Sequence, residues 1–254
     1  METLAWIGVI GTLGLLPFVW KDLPTAFSGN NLWILLGLGL LTFVITLMDF
    51  EALKRGKLSV IDVVFEVELP ITIILGMTFF GERLSLGQWG AVGAIFVGIL
   101  LIAIDPKELK GVFAIEAGVL IAFVAAIGMG GVNFLTALGA KEASPLLAIW
   151  FPWFVFTFFC LLVMIFQRDF KAFAAHIKTF PGLILSMGFF DTLAWLLFAI
   201  AVLDAELAIT VAITESYPAV ALFLGVWLNR EKVAWHQGLG AVITIAASVT
   251  IGFL

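Results

Sequence analysis

Acidic residues inside apolar segments are the side chains of this chain best suited to chemistry. Asp62 and Glu66 are four residues apart, which places them on one helical face, and Pro70 continues that face by one turn. A proline there frees a backbone carbonyl for a ligand or for bending. The other acids within apolar segments are Glu68, Glu116, Asp191 and Glu215.

These acids share their apolar segments with no lysine or arginine, except at the segment ends. A charged side chain at the centre of a bilayer costs on the order of 3 kcal/mol, so such groups normally face a bundle interior or a cavity. Burial without a cationic partner disfavours the ionised carboxylate. We therefore expect these carboxyl groups to be protonated or to hold a bound cation.

The composition indicates that the segments carrying the acids are membrane helices. Of 254 residues, 63% are hydrophobic and 12% are charged, with a mean hydropathy of +1.18. A helix needs about 20 apolar residues to cross roughly 30 Å of hydrocarbon, and continuously apolar runs favour helices over a β-barrel. The sequence predicts an all-α, polytopic bundle of nine spans, at 4–20, 32–53, 58–80, 84–104, 112–139, 145–166, 180–203, 207–228 and 235–254.

Several other classes of function are excluded by the sequence. The 13 Lys and Arg residues are scattered and the net charge is -5, which argues against nucleic acid as a partner. We find no Walker loop, nucleophile motif or dinucleotide fingerprint, so neither an enzyme nor a cofactor is predicted. His176 and His236 are far apart in the sequence and lack the spacing of metal ligands, so no metal site is predicted. Cys160 is expected to be a small buried side chain.

An internal repeat appears when each residue is compared with the one 149 positions later. Acids and glutamines are scarce here, so matches between them carry the signal. The matches include Glu66/Glu215, Glu82/Glu231, Gln88/Gln237, Leu58/Leu207, Gly76/Gly225 and the basic pair Arg83/Lys232. Five crossings separate Glu66 from Glu215, so the two copies run antiparallel. Such inverted repeats are a recurring architecture of secondary transporters.

The repeated motifs also resemble a known family. The sequences ALKRG (52–56) and GERLSLGQ (81–88), with Pro70 between them, resemble an EamA domain of the drug/metabolite transporter superfamily. Residues 212–237, which include Tyr217-Pro218 and the sequence NREK, resemble a second copy. The resemblance implies ten helices in two five-helix repeats that carry a small solute. We assign the repeats to residues 1–105 and 111–254.

The sequence departs from the family pattern in two places. The predicted helix at 112–139 has no partner in the first half, so the first repeat lacks its first helix. Two explanations stay open, a nine-span variant and a chain that starts at an internal methionine. In addition, Pro70 follows Glu66 by four residues but Pro218 follows Glu215 by three, so the two predicted kinks are not strictly equivalent.

The distribution of basic residues predicts an orientation in a cell membrane, either plasma or bacterial inner. When the loops between the predicted spans are numbered in chain order, the even-numbered loops hold ten of the 13 Lys and Arg residues. Because basic loops face the cytoplasm, this distribution places the even-numbered loops and the N-terminus inside and the C-terminus outside. The family resemblance implies a C-terminus inside, so the two arguments conflict. We favour the charge rule.

These observations predict a secondary transporter of a small polar or cationic metabolite that works by alternating access and is coupled to protons. Inverted symmetry would bring Glu66 and Glu215 to opposite sides of one cavity, as the first candidates for a proton or substrate site. For each site residue the alternative is a satisfied interior or interfacial side chain. The further candidates are Asp62, Glu68, Asp191, Glu116, Asn133 and Tyr217, with kinks at Pro70 and Pro218.

Two predictions remain beside this one. The charged clusters around Glu82 and Glu231 are interpreted as structural, because charges at helix ends at a membrane surface most simply anchor and cap those ends. The alternative function is a membrane partner or regulator with a degenerate carrier fold that transports nothing. The expected partners are a small solute and the lipid bilayer, and the oligomeric state stays open.

Overall fold

The computed structural model describes residues 2–56, 58–103, 117–167, 173, 177, 179–230 and 233–254. Within these ranges the chain forms helices joined by short connections and contains no strand, so the predicted all-α class is confirmed. The helices are α1 (Glu2–Val19), α2 (Asn31–Arg55), α3 (Leu58–Phe65), α4 (Glu68–Leu75), α5 (Leu86–Ala103), α6 (Ala117–Glu142), α7 (Pro145–Gln167), α8 (Pro181–Asp204), α9 (Leu207–Thr214), α10 (Tyr217–Asn229) and α11 (Trp235–Ile251).

Several of these helices, alone or as a consecutive pair, have the length and composition of membrane spans. Six segments in the described part of the chain are long and apolar enough to cross a bilayer, and α1 and α11 are shorter apolar helices. Large apolar side chains such as Phe166 and Trp227 are exposed on their surfaces, as expected of helices in contact with lipid. The six segments are Asn31–Arg55, Leu86–Ala103, Ala117–Glu142, Pro145–Phe166, Pro181–Asp204 and Leu207–Leu228.

Two of the predicted spans are interrupted helices. In the first, α3 ends at Phe65 and α4 begins at Glu68, after which Gly76–Phe80 forms a turn of π-helix. In the second, α9 ends at Thr214 and α10 begins at Tyr217. Adding 149 to the residue numbers of α3 gives the bounds of α9, and adding 149 to the first residue of α4 gives the first residue of α10. Each interruption therefore consists of two residues, and the first of them is a glutamate, Glu66 or Glu215.

The prolines lie just after the interruptions and not at them. Pro70 is the third residue of α4, and Pro218 is the second residue of α10. Proline is well tolerated in the first turn of a helix, where the missing amide hydrogen would have no intrahelical partner. Each helix therefore restarts before its proline, and the one-residue difference in proline position leaves the two interruptions aligned.

The chain divides into two compact units. Unit 1 comprises Met1–Val44 and Leu135–Asp204, and unit 2 comprises Ile45–Phe134 and Ala205–Leu254. Each unit combines segments from both halves of the sequence, so these units differ from the two repeats, which stay a prediction.

In unit 1, small residues bring α1 close to α7 and α8. A Cβ atom at Gly8 or Gly11 would collide with the side chain of a neighbouring helix, at Gly8 with that of Thr157. The indole Nε1 of Trp150 donates a hydrogen bond of 2.9 Å to the carbonyl of Thr12. Small residues that allow close backbone approach are the usual basis of helix packing in membranes.

In unit 2, the most extensive packing joins α5 to α11. Gly98 and Gly240 face each other where these helices cross, and Thr244 lies against Gly98. A Cβ atom at Gly98 would lie 2.8 Å from the carbonyl oxygen of Gly240. The two backbones are therefore in direct contact, with no space for a side chain.

Replacement of Gly98 by alanine should destabilise the protein because the added methyl group meets backbone that cannot rotate away. Overpacking of this kind costs about 1–3 kcal/mol, which should appear as a lower unfolding temperature in detergent by circular dichroism. Gly93→Ala on the same helix is the matched control, since its Cβ would meet no atom within 4 Å. Equal losses of stability in the two variants would contradict this packing.

Candidate functional site

Glu66 lies in the interruption between α3 and α4 and is the most buried acid of unit 2 among those predicted to form the site. Its side chain is 7% exposed, and its Oε2 atom has no hydrogen-bond partner within the described residues. The charged groups that act on it are two more acids, Glu215 and Asp62. A buried carboxyl oxygen without a partner is costly, and so this oxygen is a suitable acceptor for a proton or a cationic group.

The carboxyl groups of Glu68 and Glu215 form a hydrogen-bonded pair. Glu68 is the first residue of α4, and Glu215 lies in the interruption between α9 and α10. Two carboxyl groups can hydrogen-bond to each other only when one of them carries a proton, since a carboxylate is solely an acceptor. The two interrupted helices thus meet through this pair of carboxyl groups.

Two further residues act electrostatically on this group of acids. Asp62 lies on α3 one turn before Glu66 and is exposed. Tyr217 is the first residue of α10, and its side chain is exposed. Its phenol interacts with Glu66, Glu68, Glu215 and Asp62. The phenol can donate one hydrogen bond and accept another, which suits a ligand that binds among acids.

Asp62, Glu66, Glu68 and Glu215 form an acidic cluster, and Asp49 is a further member that the sequence did not reveal. It acts on Glu68, together with Glu66 and Glu215. The predicted span 32–53 contains Asp49, but we did not select it among the candidate acids. In the structure α2 continues to Arg55, which leaves Asp49 more than one turn inside the helix. The signal available in the sequence was the spacing of six residues, more than one helical turn, between Asp49 and Arg55 at the basic end of α2.

Asn133 is a structural support for the site. Its amide nitrogen donates to the hydroxyl of Thr72 at 3.2 Å, and that hydroxyl donates to the carbonyl of Glu68 at 2.9 Å. Asn133 and Thr72 are both buried. The glycines before Asn133 allow this contact, since a Cβ atom at Gly130 would lie 2.6 Å from the side chain of Ile71. The Gly-rich segment therefore brings α6 against α4.

Of the remaining predicted site residues, one belongs to unit 1 and one is not described by the structure. Asp191 lies on α8 in unit 1, where its Oδ2 atom has no hydrogen-bond partner among the described residues. The neighbouring Thr192 hydroxyl also lacks one. Glu116 lies outside the described residues.

Glu82 was interpreted as an anchor at the membrane surface, but the structure gives it a different role. It is buried, and its carboxylate accepts hydrogen bonds from the amides of Leu207 at 2.6 Å and Ala208 at 3.1 Å. These are the first two residues of α9, so Glu82 caps a helix 125 residues away in sequence instead of its own. Gly76 makes room for it, since a Cβ atom there would lie 2.6 Å from Oε2 of Glu82. Glu231 lies outside the described residues.

Together the described helices define a multi-pass membrane protein with two discontinuous helices that meet through acids. Comparison with known proteins identifies the family. The model of the EamA-like transporter family matches residues 1–104 and 116–253, and the chain belongs to this family. It is therefore a membrane transporter of the drug/metabolite type, and membership of this family implies a small-molecule solute.

Two individual proteins illustrate the similarity. The chain is 30% identical over 105 residues to an uncharacterized transporter in the cobO 3′ region of a Sinorhizobium species, covering 41% of this chain and 73% of that protein. A protein of known crystal structure aligns with 99% of this chain and 86% of its own length at a TM-score of 0.71 and 13% identity. At that identity the second likeness shows the fold alone.

A double-mutant cycle tests the support that Asn133 gives to α4. Asn133→Ala and Thr72→Val should each lower the free energy of unfolding by about 1 kcal/mol, within the range measured for hydrogen bonds between membrane helices. The double variant should lose less than the sum, because both changes remove the same bond. Thr250→Val, whose hydroxyl bonds within its own helix, should instead add to Asn133→Ala. Full additivity between Asn133 and Thr72 would exclude the coupling.

Proposed function

We propose that this chain is a secondary transporter of a small cationic metabolite that works by alternating access with proton coupling. The observation that carries the proposal is the buried Oε2 atom of Glu66, which lacks a hydrogen-bond partner and is surrounded by other acids. Such a group is unfavourable unless a proton or a cation occupies it. A substrate ammonium, with several donor hydrogens and a positive charge, satisfies both requirements.

Glu66 and the pair of Glu68 with Glu215 have different roles in this proposal. Glu66 receives the cationic group of the substrate, because its free oxygen is the available acceptor. The hydrogen-bonded pair holds a proton, and the arrival of a cation favours the ionised form of every nearby carboxyl. The proton therefore leaves as the substrate binds, which couples the two in opposite directions.

The interrupted helices support alternating access. In secondary transporters, binding sites form at breaks in membrane helices, where freed backbone groups and side chains meet a ligand. Here the breaks at Glu66 and Glu215 lie 149 residues apart, at equal positions of two segments with opposite predicted directions. Two equivalent discontinuous helices can exchange conformations around one site. We propose the plasma or bacterial inner membrane as the location.

A ligand screen by thermal stability tests the substrate class. Small primary amines and amino acids should raise the unfolding temperature, whereas matched carboxylates should not, since a ligand that binds the folded state stabilises it. At a concentration of about 100 Kd the gain is roughly 2.7 kcal/mol. Glu66→Gln should abolish the shift without loss of membrane insertion.

The control for this screen is Glu51→Gln. Glu51 is an acid of the same unit that lies on the surface and pairs with Arg55 on its own helix. It should retain the full shift. Stabilisation by carboxylates, or an equal shift in the Glu66 variant, would remove the proposed site.

Proton coupling has a separate measurement. Calorimetric titration of the best amine in buffers of different ionisation enthalpy should show release of about one proton per ligand, because the bound cation displaces the shared proton. Glu68→Gln and Glu215→Gln should each reduce this release toward zero. If both variants release as many protons as the parent and as Glu51→Gln, the pair is not the coupling site.

A further inference from the structure

The contact between Glu82 and α9 joins the end of one interrupted span to the beginning of the other. Glu82 follows the segment 58–80, and its two oxygens accept from the first two amides of α9. A carboxylate at a helix N-terminus interacts with both the unpaired amides and the helix dipole, and charge-assisted bonds are roughly twice as strong as neutral ones. The burial of Glu82 strengthens the interaction further.

This contact is also tied directly to the candidate site. α9 has only eight residues, with Glu82 bonded at its first turn and Glu215 following its last residue. At 1.5 Å per residue, the two acids act on ends of one short rod about 12 Å apart. A movement that withdraws α9 from Glu82 must therefore displace Glu215, and with it the pair that Glu215 forms with Glu68.

The backbone turn that delivers Glu82 is repeated in the second interrupted span. Gly81 ends the π-helical turn with a left-handed conformation, at φ +69°. Arg230 ends α10 in the same left-handed region, at φ 55°, and is 149 residues further along. A residue with a side chain rarely adopts this conformation, so its presence at Arg230 indicates that the turn geometry is required there.

The sequence repeats the other parts of the contact at the same offset. Gly76 is matched by Gly225, Glu82 by Glu231, and Leu207, whose amide is bonded, by Leu58. The six-residue interval from glycine to glutamate is the same in both copies. Because each segment crosses the membrane, Glu82 and the start of α9 lie at one face, and the matching residues are assigned to the other.

We propose that Glu82 is a conformational latch, a contact that holds α9 in place when the pathway is closed at the face where Glu82 lies. Opening at that face requires the amides of Leu207 and Ala208 to separate from the carboxylate. The latch thus positions Glu215 in the closed state and releases it in the open one. This inference rests on alternating access, the mechanism given under Proposed function.

The test measures conformation without a ligand. Tyr217→Cys, in a background with Cys160→Ala, reports access to the acidic cluster by its rate of reaction with a membrane-impermeant maleimide. The reagent is applied to either face of proteoliposomes, and Leu86→Cys, an exposed position shortly after Glu82, identifies the face of the latch. Glu82→Gln should raise the labelling rate from that face by about tenfold, the effect of losing one charge-assisted bond.

Three further variants serve as controls for the labelling experiment. Arg83→Gln removes an exposed neighbouring charge and should leave labelling unchanged. Gly76→Ala crowds the Glu82 carboxylate and should reproduce the increase, including in the case that Glu82→Gln fails to fold. Glu231→Gln, the match of Glu82 in the repeat, should raise labelling from the opposite face and not from the latch face.

The outcomes separate the latch from the proposed function. A reporter that reacts from neither face in the parent would overturn alternating access and the latch with it. A parent that reacts, combined with unchanged rates in Glu82→Gln and Gly76→Ala, would overturn the latch alone. An equal increase from the latch face in Glu231→Gln would show general loosening and would also exclude the latch.

Discussion

Carboxyl groups buried among apolar helices require compensation, and much of the arrangement in unit 2 follows from that requirement. Hydrocarbon offers them neither water nor counter-ions, so each must be protonated, hydrogen-bonded or occupied. Glu82 accepts from backbone amides, and Glu68 and Glu215 share a hydrogen bond. Among the described residues of unit 2, Glu66 and Glu206 each retain a buried carboxyl oxygen without a partner. Glu66 is also acted on by Glu215 and Asp62, and this negative surrounding makes it the group better suited to a cationic ligand.

The helix interruptions supply the geometry that these acids need. A continuous helix would place its carboxyl groups along its side and leave no backbone free for them. Each break instead ends one short helix at a glutamate and begins the next within two residues. Since a proline follows within the first turn, the restart is compatible with its fixed backbone angle. The short helix α9 then becomes a separate element, held at its start by Glu82 and adjoining Glu215 at its end.

Close packing of backbones holds these elements in register. In membranes there is little hydrophobic driving force between helices, so small residues and interhelical hydrogen bonds carry much of the association. Gly98 against Gly240 and Gly130 against Ile71 are contacts of this kind, and Asn133 adds a hydrogen bond to Thr72. The glycines among these residues carry no side chain that could bind or react. Their role is to fix α4, α5, α6 and α11 at distances that side chains would prevent.

The sequence by itself determined the all-α membrane class, the family and the candidate acids, because long apolar runs and scarce charges are legible without contacts. Tertiary structure decided which acids meet. Symmetry suggested that Glu66 and Glu215 face one cavity. In the structure Glu215 acts on Glu66 and is also hydrogen-bonded to Glu68, and Asp49 joins them from a helix longer than its apolar run. Glu82 likewise reaches a helix 125 residues away. Periodicity describes one helix at a time, and partners on different helices depend on packing distances of a few ångströms that no local pattern encodes.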